Sequence, residues 1–427
     1  MLIARLDPAL AQHGTGAVHA AMQAHARRPR ESGGDDQVRS IALGTYLVVR
    51  LARRTLGADG PDGDAEGLDW QRTSTARYVD DLPTVHPECA HLRLIVAAMS
   101  EGARSDLLAL RRALLGYAAW LEREGRLDLS LELLAVARCT WLADIPPADF
   151  CTLALTVGRV NRQLARLPLA ADAYAAAEEG AFLAADHLLA LRARLGSAAI
   201  RRLRGHHHGL EEELHIILAE SEQRPELGVL LPLVHADLGS LYAAQGRMSD
   251  AVRAMVRAVR AASQPPERMR MLAGLGQVLL ELGAGDVAHT ALSHVARQAE
   301  DRLTQAGAQV ELMDLASVEG DRLAFERLRA GLREYIWRLP AAVRVDFLYR
   351  SGVGFSRFSQ YGRAAKCWSE AMDLAEAQQL EEWVRTIARL ECSIRDCQRV
   401  YVEPTQPWLD GYENLEHDVL RLLVTGT

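Results

Sequence analysis

A chain of 427 residues with 49% apolar and 25% charged side chains is long enough for a large core or for several domains. Aromatic residues make up only 5%, beside abundant Ala, Leu and Arg, which argues against a β-sandwich or barrel and for helices that touch through small residues. A net charge of −7 gives no global electrostatic reason to approach nucleic acid or an anionic membrane. Lys366 is the only lysine among 49 basic residues, the mark of a GC-rich, bacterial coding bias rather than of a ligand. Six cysteines (Cys89, Cys139, Cys151, Cys367, Cys392, Cys397) form no CxxC pair and read as small buried hydrophobes in a reducing cytosol. The opening Met1 to Arg5 lacks the basic and apolar segments of a signal peptide, and no uncharged apolar run reaches membrane-spanning length, so a cytoplasmic location is expected.

In chain order, Asp7-Pro8 and Thr15 open two short helical patterns, and Glu31 to Asp36 reads as a loop. Ile41, Leu43, Leu47, Val48 and Leu51 mark an amphipathic helix over residues 37–56. Residues 57–67, glycine-rich and acidic, read as a flexible connector; Asp59, Asp62 and Asp64 miss calcium-loop spacing. Helix resumes over residues 68–103, interrupted by Pro83 and Pro87.

From there the chain repeats. Small residues recur at Ala118, Gly158, Gly196, Gly239, Gly276 and Gly352, with a degenerate Met313, at successive gaps of 40, 38, 43, 37, 37 and 39 residues. Five of them are followed by a small, large, small ladder on one helical face: Ser130, Leu134, Ala137; Ala170, Tyr174, Ala177; Ala251, Met255, Ala258; Ala288, Leu292, Val295; Ala364, Trp368, Ala371. Gly246 ends one first helix because it takes a left-handed conformation without a Cβ penalty, and Gly125, Gly283 and the run Gln360-Tyr361-Gly362 mark other turns. Trp383, Ile387, Leu390 and Ile394 continue as a helix, and Trp408 to Leu423 as a last one after Pro404 and Pro407, both suited to cap a stack.

These paired helices resemble the tetratricopeptide repeat (TPR) family over roughly residues 105–400, with a period longer than its usual 34 and without the family's tryptophan at its fourth position. The resemblance implies an all-α, right-handed α-solenoid of antiparallel helix pairs. It gives N-terminal irregular hairpins over 1–103, about seven repeats over 104–375, and C-terminal capping helices over 376–427. It further implies a groove lined by the first helices, with Thr152, Arg159, Arg162 and Gln163 in one repeat. Leu233, Ala236, Ser240 and Ala243 follow in another, then Arg270, Ala273 and Gln277, and finally Asp346, Tyr349, Ser356 and Arg357. The residues that hold a C-terminal carboxylate in chaperone-binding members are absent here, while Arg159 and Arg162 are suited to fork onto an acidic peptide.

Other signals have plainer readings. His206, His207 and His208, with His215 beyond, fall in a turn lengthened by two residues, and consecutive loop side chains diverge too much to share a metal. Gly352-Val-Gly354 sits mid-helix, where packing explains it better than phosphate binding. Arg27, Arg28, Arg30, Arg201, Arg202 and Arg204 read as ordinary surface. The expectation is a non-enzymatic scaffold or adaptor that binds a protein or peptide, without cofactor, metal, membrane or direct nucleic-acid contact. A peptide- or partner-sensing subunit of a transcription or signalling regulator is the alternative. A metal-dependent enzyme built on the histidines is the third.

Overall fold

The structure is a computed structural model that describes residues 6, 9, 10, 20, 23, 34–57, 65–100, 107–141, 145–395, 419, 421 and 422. The expectations placed on Asp7-Pro8, Thr15, Asp59 to Asp64, Cys392 and Cys397, the Pro404 and Pro407 break and most of the last helix concern residues or side chains outside that set. Among the described residues the fold is all-α, with no strand. Its helices are α1 (Gly34–Thr55), α2 (Ala65–Asp80), α3 (Pro87–Ser100), α4 (Leu107–Arg123), α5 (Leu127–Arg138), α6 (Pro147–Gln163), α7 (Leu167–Leu183), α8 (His187–Leu203) and α9 (Leu210–Gln223). They continue as α10 (Leu231–Ala244), α11 (Met248–Ala261), α12 (Pro265–Leu282), α13 (Gly285–Gln298), α14 (Arg302–Val318), α15 (Arg322–Tyr335), α16 (Ala341–Arg357), α17 (Tyr361–Ala377) and α18 (Glu381–Arg395). Two expected loops are shorter than the glycines suggested: α1 already begins at Gly34 and α2 at Ala65, because glycine is tolerated in a first turn where backbone N–H groups lack helical partners anyway.

The chain forms two compact units, one of residues 1–122 and 126–190, the other of 123–125 and 191–427. The expected boundaries at 103 and 375 therefore do not coincide with the division between units. In the first unit α1, α2 and α3 pack on one another, and a buried polar knot ties them to the first repeat. Glu88 Oε1 accepts hydrogen bonds from Thr45 Oγ1 at 3.1 Å, Tyr117 Oη at 2.5 Å and Arg126 at 2.5 Å. A buried carboxylate needs such partners, since an unpaired one would cost several kcal/mol, about the whole margin of a domain. Burial, and then the charge on Glu88, push the Tyr117 phenol well above its ordinary range, so it stays a donor.

The repeats are helix hairpins joined by close contact at the small residues. A β-carbon on Gly158 would lie 2.9 Å from the Tyr174 ring; on Gly239, 2.9 Å from Met255 Cγ; on Gly276, 2.7 Å from Leu292; on Gly352, it would run into the Trp368 indole. Each large partner follows its glycine by sixteen residues, so one spacing sets helix, turn and contact together. In the Ala118 repeat, Ser130 Oγ donates to the Ala118 carbonyl at 2.9 Å. Where buried Met313 replaces the glycine, the residue sixteen on is Arg329, which lies 4.7 Å over the Phe355 ring instead of filling the gap.

The turns close by a backbone bond across five residues, as in Arg247 N to Tyr242 O at 2.8 Å, with Gly246 at φ +76°. At four such turns a residue with a side chain takes the left-handed place: Ala165 and Ser359, both at φ 59°, Ala185 at 51° and Gln379 at 57°. The turn expected at Gln360-Tyr361-Gly362 is thus made by Ser359, and Gly362 lies inside α17. The bond from Gln360 N to Phe355 O at 2.8 Å fixes that register despite the absent glycine.

In the second unit, the stretch Pro225–Ala244 has the length and composition of a membrane span, yet contains Glu226, His235 and Asp237 and is half buried. It is a 3-10 turn running into α10, which packs against α9 and α11 in the manner of a core helix. α18 packs on α17. The described end of the chain goes elsewhere: buried Val419 and Leu422 lie in the second unit, and the Leu422 carbonyl accepts from Arg268 of α12 at 2.7 Å.

Candidate ligand-binding face

Within each unit, bonds between first helices of consecutive repeats bring positions spaced along them together. In the first unit the candidate face centres on α6. Arg159, Arg162 and Gln163 share one side of it by their three- and four-residue spacing. Arg159 does not await a ligand: Nε and Nη2 fork onto Glu122 at 2.6 and 2.8 Å, and Gln163 Nε2 adds a bond to Glu122 at 3.1 Å. Burial opposes the charge on Arg159, but the Glu122 bonds outweigh it and hold its pKa above the ordinary value. The expectation that Arg159 and Arg162 act together on an acidic peptide is corrected here, because an internal carboxylate already occupies the first fork.

Arg162 differs. Its side chain enters none of the described hydrogen bonds or ion pairs, and its Nε is buried without a partner, as is the Oε1 of Gln163 beside it. Neighbouring Asn161, fully buried, donates to the Val157 carbonyl at 3.0 Å and to that of Ala9 at 3.5 Å, while its Oδ1 has no partner. Three consecutive residues with unsatisfied buried polar atoms are unusual in a native fold, where nearly all such atoms are paired. Thr152, one turn before Thr156, turns its hydroxyl back to the Ala148 carbonyl of its own helix.

In the second unit, three of the nominated residues converge on one network across α12, α14 and α16. Gln277 donates to Glu311 at 3.2 Å; Asp346 accepts from Arg350 at 2.8 Å; Arg357 reaches Asp314 at 2.6 Å and Ser317 at 2.6 Å. The hub is Arg350, which forks onto Glu311 at 2.8 and 2.9 Å and touches Asp314 at 3.0 Å. Burial pushes the Glu311 carboxyl up to about 7, against the pull of Arg350. Arg350 in turn is held above its ordinary range, burial being outweighed by Asp346, Glu311 and Asp314. The guanidinium therefore stays charged and Glu311 is the group that yields a charge. Tyr349, its phenol raised by burial, packs edge-on to Trp383 at 5.5 Å.

The remaining nominated residues are not drawn into this network. Leu233, Ala236, Ser240, Ala243, Ala273 and Ser356 are half-buried on their first helices. Arg270 is exposed, its charge felt by Glu267. Residues that the motif did not nominate, Glu122, Glu311, Asp314 and Arg350, supply the other half of each bridge. Their signal was opposite charge at facing heights of adjacent first helices, readable only once the repeat register is known. His206 and His208 stand exposed in the long turn, and His215 bonds the Glu211 carbonyl at 2.9 Å. Among the described residues no three His, Cys, Asp or Glu are placed to hold a metal ion.

The chain is thus an all-α protein of TPR-like helix hairpins. No protein-family model and no curated protein matches it. Several solved structures are similar. NprR in complex with its cognate peptide NprX is 13% identical, with 87% of this chain and 98% of that one covered and a TM-score of 0.48. A Rap protein complexed with competence and sporulation factor is 11% identical, with coverages of 79% and 98% and a TM-score of 0.49. The apo form of the quorum sensor NprR from B. thuringiensis is 15% identical, with coverages of 86% and 98% and a TM-score of 0.44. At such identities the likeness concerns the fold alone.

Proposed function

We propose that this protein is a non-enzymatic, cytoplasmic scaffold that holds a peptide or extended protein segment against its first helices, with Arg162 as an anchor for a ligand carboxylate. The observation that carries the reading is the unpaired Arg162 guanidinium, set beside an Arg159–Glu122 fork that is already satisfied. A guanidinium left without a partner on a face of helices is a ready fork for a carboxylate. Burial pushes Cys151 up to about 11, which keeps that one thiol protonated and a poor nucleophile. A second reading, the peptide- or partner-sensing subunit of a transcription or signalling regulator, is favoured by the Glu88 knot. Through it a ligand-driven shift of α4 would reach α1 and α3.

The test is selection of random short peptides displayed on phage against the full chain and against Arg162→Glu. The wild type is expected to enrich carboxylate-bearing peptides, and Arg162→Glu to lose about tenfold or more in affinity for them, the worth of one charge-assisted contact. Equal binding by both proteins would remove Arg162 from the interface. Arg159→Glu is the wrong probe, since it places two carboxylates together at Glu122 and tests the fold instead.

A further inference from the structure

The network on α12, α14 and α16 has an uneven charge count. Three carboxylates, Glu311, Asp314 and Asp346, meet two guanidinium groups, Arg350 and Arg357, so full ionisation leaves one negative charge in excess. Glu311 is the most enclosed of the three carboxylates, with a side chain 7% exposed against 20% and 26% for Asp314 and Asp346. We propose that this cluster is a proton-operated link between three successive repeats: with Glu311 protonated the cluster is charge-balanced and holds α14 to α12 and α16, and with Glu311 ionised a buried excess charge loosens that contact.

The surroundings of Glu311 leave it as the titrating member. From α16 it faces Arg350 and Asp346, from its own helix Asp314, and from α12 the neutral amide of Gln277. Glu281 of α12 acts on Arg350 but is itself exposed, so water screens it. α13 meets α14 where Gly285 lies against Leu315, and α15 meets it through the apolar Phe325 and Leu332 cluster and the Tyr335 hydroxyl, which donates to Gln309 at 2.5 Å. When Glu311 takes up a proton, Arg350 keeps Asp314 and Asp346 as charged partners. The two forms thus differ by one proton and by the charge buried between the same helices.

The sign follows from the raised carboxyl. An unfolded glutamate titrates near 4.3, whereas the folded one titrates near neutrality, so between those values folding takes up a proton. The folding constant should therefore fall as pH rises, by up to about tenfold per pH unit at full effect, levelling off above about pH 7. The experiment is native-state hydrogen exchange of the full chain at pH 5.5 to 8.5, corrected for intrinsic rates, on wild type and Glu311→Gln. Opening of α14 and α16 should grow with pH in the wild type beyond its growth in Glu311→Gln, with amides of α6 and α7 showing no such difference. Parallel curves for the two proteins would overturn the proposal. Should Glu311→Gln fail to fold, the wild type alone decides: proton uptake on folding near pH 6, read from calorimetry in buffers of different ionisation enthalpy, should approach one per chain from this site. Uptake near zero would refute the link.

Discussion

Gly352→Leu is expected to cost about 3 kcal/mol or more of stability, among the largest losses available to a single exchange in the second unit. The side chain would have to enter space held by the Trp368 indole, with Phe325 closing on the neighbouring Gly354. Trp368 cannot turn aside freely, because its Nε1 donates to the Tyr349 carbonyl at 3.1 Å and the ring is buried. Chemical denaturation reports the loss as a lower midpoint at unchanged slope. A control comes from the same fold: Gly307→Ala, at a helical glycine with nothing within 4 Å, should gain about 0.5–1 kcal/mol from helix propensity alone. The cycle with Trp368→Ala should show a coupling of about 1–3 kcal/mol between positions 352 and 368, since the smaller residue relieves the clash. Additive losses would mean that the glycine serves the backbone rather than the contact.

Arg350→Ala is the second large expected effect, a loss of about 3 kcal/mol at pH 8, because it strips a buried carboxylate of its forked partner. The loss should shrink toward pH 6, where Glu311 can escape by taking a proton. A double exchange, Arg350→Met with Glu311→Leu, should recover most of the stability, since an apolar pair of similar volume avoids desolvating either charge. Thermal unfolding across that pH range checks both expectations, and a loss independent of pH would mean that Glu311 is not the carboxylate left stranded.

The hairpin fold was legible because one steric demand recurs. A glycine and a bulky residue sixteen positions later are both needed for two helices to nest, and that pairing stands in the sequence at Gly158 with Tyr174 and at Gly276 with Leu292. Turns were less legible where backbone bonding rather than glycine sets the geometry, as at Ser359. The candidate face was only partly legible. Repeat register nominates the heights along each first helix, and Gln277, Asp346 and Arg357 do meet in one network. It does not say which charges are satisfied internally, and Arg159 and Arg162, three residues apart and alike in kind, differ entirely in this respect. That distinction depends on the reach of Glu122 from the preceding repeat, a property of tertiary placement. The joining of residues 34–100 to the first repeat escaped the sequence for the same reason, since Glu88 gains meaning only beside Tyr117 and Arg126.

The most direct measurement for the binding claim is hydrogen–deuterium exchange of the full chain with and without a peptide enriched by the selection described above. Slowed exchange in first helices, with α6 around Arg162 foremost, and unchanged exchange in the second helices α7, α13 and α17 is the predicted pattern. Protection confined to those second helices, with α6 exchanging as before, would contradict it.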